Sequence, residues 1–271
     1  MSDVVVTGAS SGIGASVSRR LQAAGHRVIA IVRRDDAMPA SAAVVPVVVD
    51  LRADDLVALV RAAIAEHVGP AGLGGVVHCA GQPTLGPLEH VPLSQLRASF
   101  ELHAVALVAL AQACLPALRR GHGRIVAVGS VGGRVATPWL GAYGASKFAL
   151  VGLTGALRHE LRPFGIHVSL VEPGVVDTPM LPAGEQLYVD ALAALPATET
   201  AYAAGLARAQ ATYRRATARP MTPDRVATAV MHALFAARPR PRYLVGVDAH
   251  LATTLQWLLP TRAFEWLVRR L

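Results

Sequence analysis
Cysteine is scarce in this chain. Cys79 and Cys114 are the only two in 271 residues, which excludes a disulfide-stapled scaffold, and neither has a neighbour at metal-ligand spacing. The 10 histidines are scattered without a ligand pattern. Aromatic residues make up 5%, and no stripe of interleaved basic and aromatic side chains emerges. The net charge of +8 therefore reads as a solvated, arginine-rich surface rather than a nucleic-acid interface. Its arginines come in dispersed pairs: Arg33-Arg34, Arg119-Arg120, Arg214-Arg215 and Arg269-Arg270. No uninterrupted apolar run reaches the roughly 20 residues that span a bilayer. No solenoid repeat is visible, and an apolar strand-like run starts almost at Met1, where a signal peptide would need its own segment. The expectation is a single domain located in the cytoplasm.

What is present alternates. Short apolar runs and longer helical stretches follow one another about every thirty residues, the pattern of a parallel sheet covered by helices on both faces. The first run, Val4-Val5-Val6, leads straight into Thr7-Gly8-Ala9-Ser10-Ser11-Gly12-Ile13-Gly14. A helix is predicted from Ala15 to Ala24, stopped by Gly25. Strand, glycine turn and helix in this order are what a dinucleotide fingerprint requires: glycines admit the pyrophosphate backbone, and the helix N-terminus meets its charge. The next strand, Arg27–Val32, ends at Arg33-Arg34. An acidic residue about here would bind the ribose of NAD; arginine favours the 2′-phosphate of NADP(H). Asp35 and Asp36 would serve NAD if the strand ran longer.

Tyr143 and Lys147 are four residues apart, which on a helix spanning 143–160 places both on one face. Ser130 lies thirteen residues before the tyrosine. Bringing a phenol from a pKa of about 10 to about 7 takes roughly 4 kcal/mol. A cation about 4 Å away supplies roughly that much at an effective dielectric near 20. Ser130 would donate a hydrogen bond to a substrate oxygen while Tyr143 moves the proton. This is the equipment for hydride exchange between a nicotinamide and a carbonyl or alcohol.

These motifs resemble the short-chain dehydrogenase/reductase family from Val4 to about Thr178. Gly86-Pro87-Leu88-Glu89, Gly129–Gly133, Ala145–Leu150 and Pro163–Leu170 are similar to its 17β-hydroxysteroid and retinol dehydrogenase branch. The resemblance implies an α/β, Rossmann-like doubly wound sheet in one domain. It also implies that Gly8, Ser10, Ser11, Gly12, Ile13 and Gly14 hold the cofactor phosphates and that Arg33 and Arg34 meet the 2′-phosphate. By the same resemblance, Asp50 and Leu51 contact the adenine, Cys79, Ala80 and Gly81 line the site, and Pro173, Gly174, Val176 and Thr178 embrace the carboxamide end. Ser130, Tyr143 and Lys147 match the catalytic triad, with Tyr143 and Lys147 also touching the cofactor. Two segments depart from the family pattern. His78 opens the segment His78-Cys79-Ala80-Gly81 where Asn-Asn-Ala-Gly is common. His103 stands where a fourth catalytic member, an asparagine that helps hold a proton-relay water, is common; it would keep the geometry, relay protons itself, or pack.

Residues 1–250 form the expected catalytic domain. Within it 180–220 form a substrate lid with an apolar face, suited to a lipophilic ketone or alcohol. Residues 251–271 read as an amphipathic helical tail broken at Pro260, which packs on protein or touches a membrane surface. Alanine- and leucine-rich helices around Leu102–Leu118 and Ala145–Leu161 are consistent with a homodimer or homotetramer. Competing readings are an NADP-dependent epimerase and a cofactor-binding sensor or scaffold without turnover.

Overall fold
The computed structural model describes residues 1–34, 38 and 40–268; Asp35, Asp36, Arg269, Arg270 and Leu271 lie outside them. The strands are β1 (Asp3–Thr7), β2 (Arg27–Val32), β3 (Val44–Val48), β4 (Leu73–His78), β5 (Arg124–Val128), β6 (Val168–Pro173) and β7 (Arg242–Val245). They form one seven-stranded parallel sheet in the order β3-β2-β1-β4-β5-β6-β7. The order reverses between β1 and β4, where Thr7 is in register with His78. Crevices at such a switch point, beyond the carboxyl ends of the strands, are where ligands bind in open α/β sheets.

Side-chain alternation divides the sheet between two cores. Val5, Ile29, Ile31, Val76 and Ile125 point into one, with α2 (Leu56–His67), α4 (Ala106–Gly121) and α5 (Gly141–Leu161). Val4, Val6, Val28, Ala30, Val77 and Val126 point into the other, with α1 (Gly12–Ala23) and α8 (Pro223–Phe235). The first helix starts earlier than Ala15 because Ser11 is already extended, at φ −151° and ψ 168°, and serves as its N-cap.

α3 (Leu93–Phe100) continues into α4 through one π-helical segment, Glu101–Val105, so 93–121 is a single long helix. By length and composition alone it would cross a membrane; 67% of its apolar window is buried in the molecule, as a core helix requires. α6 (Met180–Ala194) and α7 (Thr200–Ala216) make a helical pair in the region expected to be a lid. It has its own core around Leu85, Tyr188 and Leu206.

The tail differs from expectation at its start. α9 (Val247–Leu258) begins directly after β7 and is followed by α10 (Thr261–Val268) beyond the break at Pro260. α9 is tied to the domain: the Asp248 carboxylate accepts from the Val175 N–H at 2.7 Å, and Gln256 Nε2 donates to the Arg134 carbonyl at 2.6 Å. Leu251 and Leu258 face solvent rather than a core.

Candidate active site
The glycine turn is built for a close neighbour. Gly8 has φ +64°, and a Cβ there would lie 3.0 Å from the Ala80 backbone. A Cβ on Gly14 would meet the Gly8 carbonyl oxygen at 2.1 Å. Gly12, at φ +50°, faces Thr178, whose methyl would be 3.0 Å from an added Cβ. Turn, β4 extension and the loop after β6 thus meet at the switch point. Ser10 and Ser11 are exposed there, and Ile13 is half-buried against the core. The Ser11 side chain caps no N–H group, and the first turn of α1 carries no acidic residue. Such an open helix N-terminus beside side-chain-free backbone fits a pyrophosphate.

Thr7 joins these pieces. Its buried Oγ1 accepts from the N–H groups of Cys79 and Ala80, both at 3.1 Å. Arg33 is exposed at the end of β2, beside Asp50 beyond β3. The hydrogen bond from Arg52, and more weakly the charge of Arg33, hold the Asp50 carboxyl below its ordinary range. Arg34 is exposed as well, whereas Leu51 is buried in the core.

α5 carries Tyr143 and Lys147 on one face. A Cβ placed on Gly132 would sit 3.4 Å from Ser130 Oγ and 3.5 Å from the Tyr143 ring, so serine and tyrosine flank the same glycine. Ser130 Oγ accepts from the Gly132 N–H at 3.1 Å. Lys147 is 4% exposed and donates to the Val128 carbonyl at 3.3 Å; its Nζ is 5.7 Å from the Tyr143 ring centroid. Burial pushes the lysine down to about 8. Burial also raises the tyrosine, opposed by a hydrogen bond with Ser130. The expected lowering of the phenol is therefore not delivered by the protein's own groups: burial outweighs the Ser130 hydrogen bond.

His103 lies at the π-helical segment, fully buried. Its Nε2 accepts from the Gln82 N–H at 3.2 Å and its Nδ1 is 2.8 Å from Ser146 Oγ. The His78 ring bridges Thr7 Oγ1 at 2.9 Å and the His103 carbonyl at 3.2 Å. Burial lowers both imidazoles, His78 to about 4. Burial also raises the Cys79 and Cys114 thiols to about 12, so both stay protonated.

The loop after β6 divides its labour differently from expectation. Pro173 is buried at the end of β6, and Thr178 Oγ1 accepts from the Met180 N–H at 3.3 Å. Val176 is turned into the core. Gly174 makes room for Asp248: a Cβ there would overlap its carboxylate. Glu172 is fully buried and accepts from Arg134 Nε at 2.6 Å and from Arg242 Nε. Thr7, Ser146 and Asp248 were missed from the sequence, because an isolated hydroxyl or carboxylate carries no spacing signal.

The short chain dehydrogenase family pattern matches residues 2–186. The chain belongs to this family. It is 32% identical to the uncharacterized oxidoreductase YbbO of Escherichia coli over 97% of this chain and 92% of that protein. Retinol dehydrogenase 5 of Mus musculus is 30% identical over 98% of this chain and 89% of its own. The NADPH-dependent 3-dehydrocapnine reductase of Ornithobacterium rhinotracheale is 28% identical over 96% and 94%. This short-chain dehydrogenase is an oxidoreductase whose family-matching segment contains Ser130, Tyr143 and Lys147.

Proposed function
We propose that the protein is an NADP(H)-dependent oxidoreductase that interconverts a lipophilic ketone and a secondary alcohol, with Tyr143 as the acid–base group. The observation that carries this reading is the clustering of Ser130, Tyr143 and Lys147, with Lys147 Nζ 3.7 Å from where a Gly81 Cβ would lie, on the β4 extension that packs against Gly8 of the glycine turn. The nicotinamide, when bound, supplies or accepts the hydride. Ser130 orients the substrate oxygen, and Tyr143 gives its phenolic proton to that oxygen in reduction and takes it back in oxidation. Lys147 holds positive charge beside the phenolate as it forms. Arg33 and the uncapped start of α1 bind the phosphates, and the printed name of the Ornithobacterium relative supports NADPH as the reductant. The apolar lid core of Leu85, Tyr188 and Leu206, together with the likeness to a retinol dehydrogenase, supports a lipophilic substrate.

The reading extends to assembly. An added Cβ at Gly152 or Gly155 of α5 would meet nothing, and Phe148 on the same helix is exposed. This favours a homodimer or homotetramer formed across α4 and α5, tested by light scattering of Phe148→Glu against the parent. We place the enzyme in the cytoplasm. The exposed Leu251, Trp257 and Leu258 with Arg262 on the tail suit peripheral membrane contact, tested by cell fractionation and by flotation with anionic vesicles.

NADPH and NADH oxidation over a panel of lipophilic ketones tests the function. Turnover with NADPH should fall by at least about 100-fold in Tyr143→Phe while the nucleotide still binds. A variant as active as the parent would remove Tyr143 from the chemistry.

A further inference from the structure
The chain contains no asparagine at all; of the three positions where the family commonly has one, Cys79 fills one, and the other two hold histidines whose proton positions the structure fixes. At His103, the Gln82 N–H can only donate, so Nε2 bears no hydrogen. Ser146 spends its one hydroxyl proton on the Tyr143 carbonyl at 2.6 Å, so His103 Nδ1 must carry the hydrogen that joins them. At His78, the His103 carbonyl can only accept, so Nε2 carries the hydrogen. Thr7 Oγ1 already accepts from two amides, so its own proton goes to His78 Nδ1. Each ring thus offers one acceptor and one donor, which is also what a carboxamide offers. A second proton on His103 would set an N–H against the Gln82 N–H. On His78 it would set one against the Thr7 hydroxyl proton. The Lys147 ammonium discourages either charge further.

We infer that His78 and His103 are one neutral positioning unit that stands in for two of those asparagines, and that His103 relays no proton during turnover. The connected path runs from Thr7, next to Gly8, through His78 and His103 to Ser146 and the backbone of Tyr143. It fixes the catalytic helix relative to the cofactor turn. Gly81 closes the unit from the side: a Cβ there would lie 3.2 Å from His103 Nε2. The inference rests on Tyr143 being the acid–base group.

Three variants test it. His103→Leu leaves Ser146 and Gln82 without their partner and should lose at least about tenfold in kcat by misplacing Tyr143. Its NADPH dissociation constant, read by nucleotide fluorescence, should stay within about threefold, which loss through unfolding would not spare. His103→Asn should recover kcat to within about threefold of the parent and keep its pH profile, because it restores the acceptor and the donor but cannot titrate. His78→Asn combined with His103→Asn should match His103→Asn alone. If His103→Asn fails to recover kcat, or loses a limb of the pH profile, His103 is a proton carrier and the inference is wrong. Undiminished kcat in His103→Leu would remove the positioning role. A fully active Tyr143→Phe would instead overturn the functional reading, while the tautomers remain checkable by imidazole nitrogen shifts.

Discussion

Arg33 is an exposed guanidinium at the carboxyl end of β2, with the Asp50 carboxylate beyond the neighbouring strand already held by Arg52. Among the described residues no carboxylate forms an ion pair with Arg33, which suits a phosphate. Charge-assisted hydrogen bonds are worth about 1.5–3 kcal/mol, so Arg33→Ala should raise the KM for NADPH by roughly tenfold or more and leave that for NADH near its parent value. Equal effects on both nucleotides would contradict the assignment. At the neighbouring scale of a single proton, burial holds the Tyr143 phenol up and Ser130 holds it down. Reduction needs the protonated phenol, so its kcat should be level at low pH and fall as pH rises through the phenol's pKa. Oxidation should rise over the same range. Profiles of opposite sign would exclude Tyr143 as the proton donor.

Two contacts between elements set the shape of the site. Glu172 of β6 is fully buried between Arg134, four residues beyond Ser130, and Arg242 of β7. Removing the carboxylate leaves two arginines facing each other, and breaking a buried pair costs about 3–5 kcal/mol. Glu172→Ala should lose stability on that scale in urea unfolding; a loss under about 1 kcal/mol would show that the arginines relax into solvent. On the other side, Trp139 sits at φ +69°, a left-handed backbone unusual for a bulky residue. Its ring lies 2.5 Å from where a Gly205 Cβ would be. The tryptophan thus seats α7 on the loop between Ser130 and Tyr143. Gly205→Ala overpacks this contact, at a cost of about 1–3 kcal/mol, and should raise the KM for bulky ketones several-fold while sparing that for NADPH. These long-range contacts were illegible in the sequence because Trp139 and Gly205, or Glu172 and Arg242, share no period or motif. The glycine turn, β2 and the Tyr143–Lys147 face of α5 were legible because each rests on spacing within one element.

Across the whole molecule, a parallel sheet covered on both faces followed from strand–helix alternation, whereas the early start of α9 and its brace on the loop after β6 did not. That brace depends on Asp248, a lone carboxylate in a polar context. Acid stability is also a property of the whole chain. In the unfolded protein His78 and His103 titrate near pH 6.5; folded, burial keeps both neutral, His78 down to about 4. Below about pH 6.5 the unfolded state binds more protons, so stability should fall by about 1.4 kcal/mol per pH unit for each histidine as the pH drops. For His78 the loss ends near pH 4. His78→Asn should flatten this slope in melting curves recorded from neutral pH downward; an unchanged slope would assign the acid sensitivity to other groups.

Lys147 is the sole lysine of the chain, and it is almost wholly buried beside Tyr143. Every other fixed cation on a side chain is an arginine, which amine-directed reagents do not acylate. The protein therefore carries just one amine besides that of Met1, and it lies inside the site. Acylation followed by intact-mass measurement becomes a direct titration of active-site access: one adduct marks the exposed terminus, a second marks Lys147. Bound nucleotide should slow the second adduct alone.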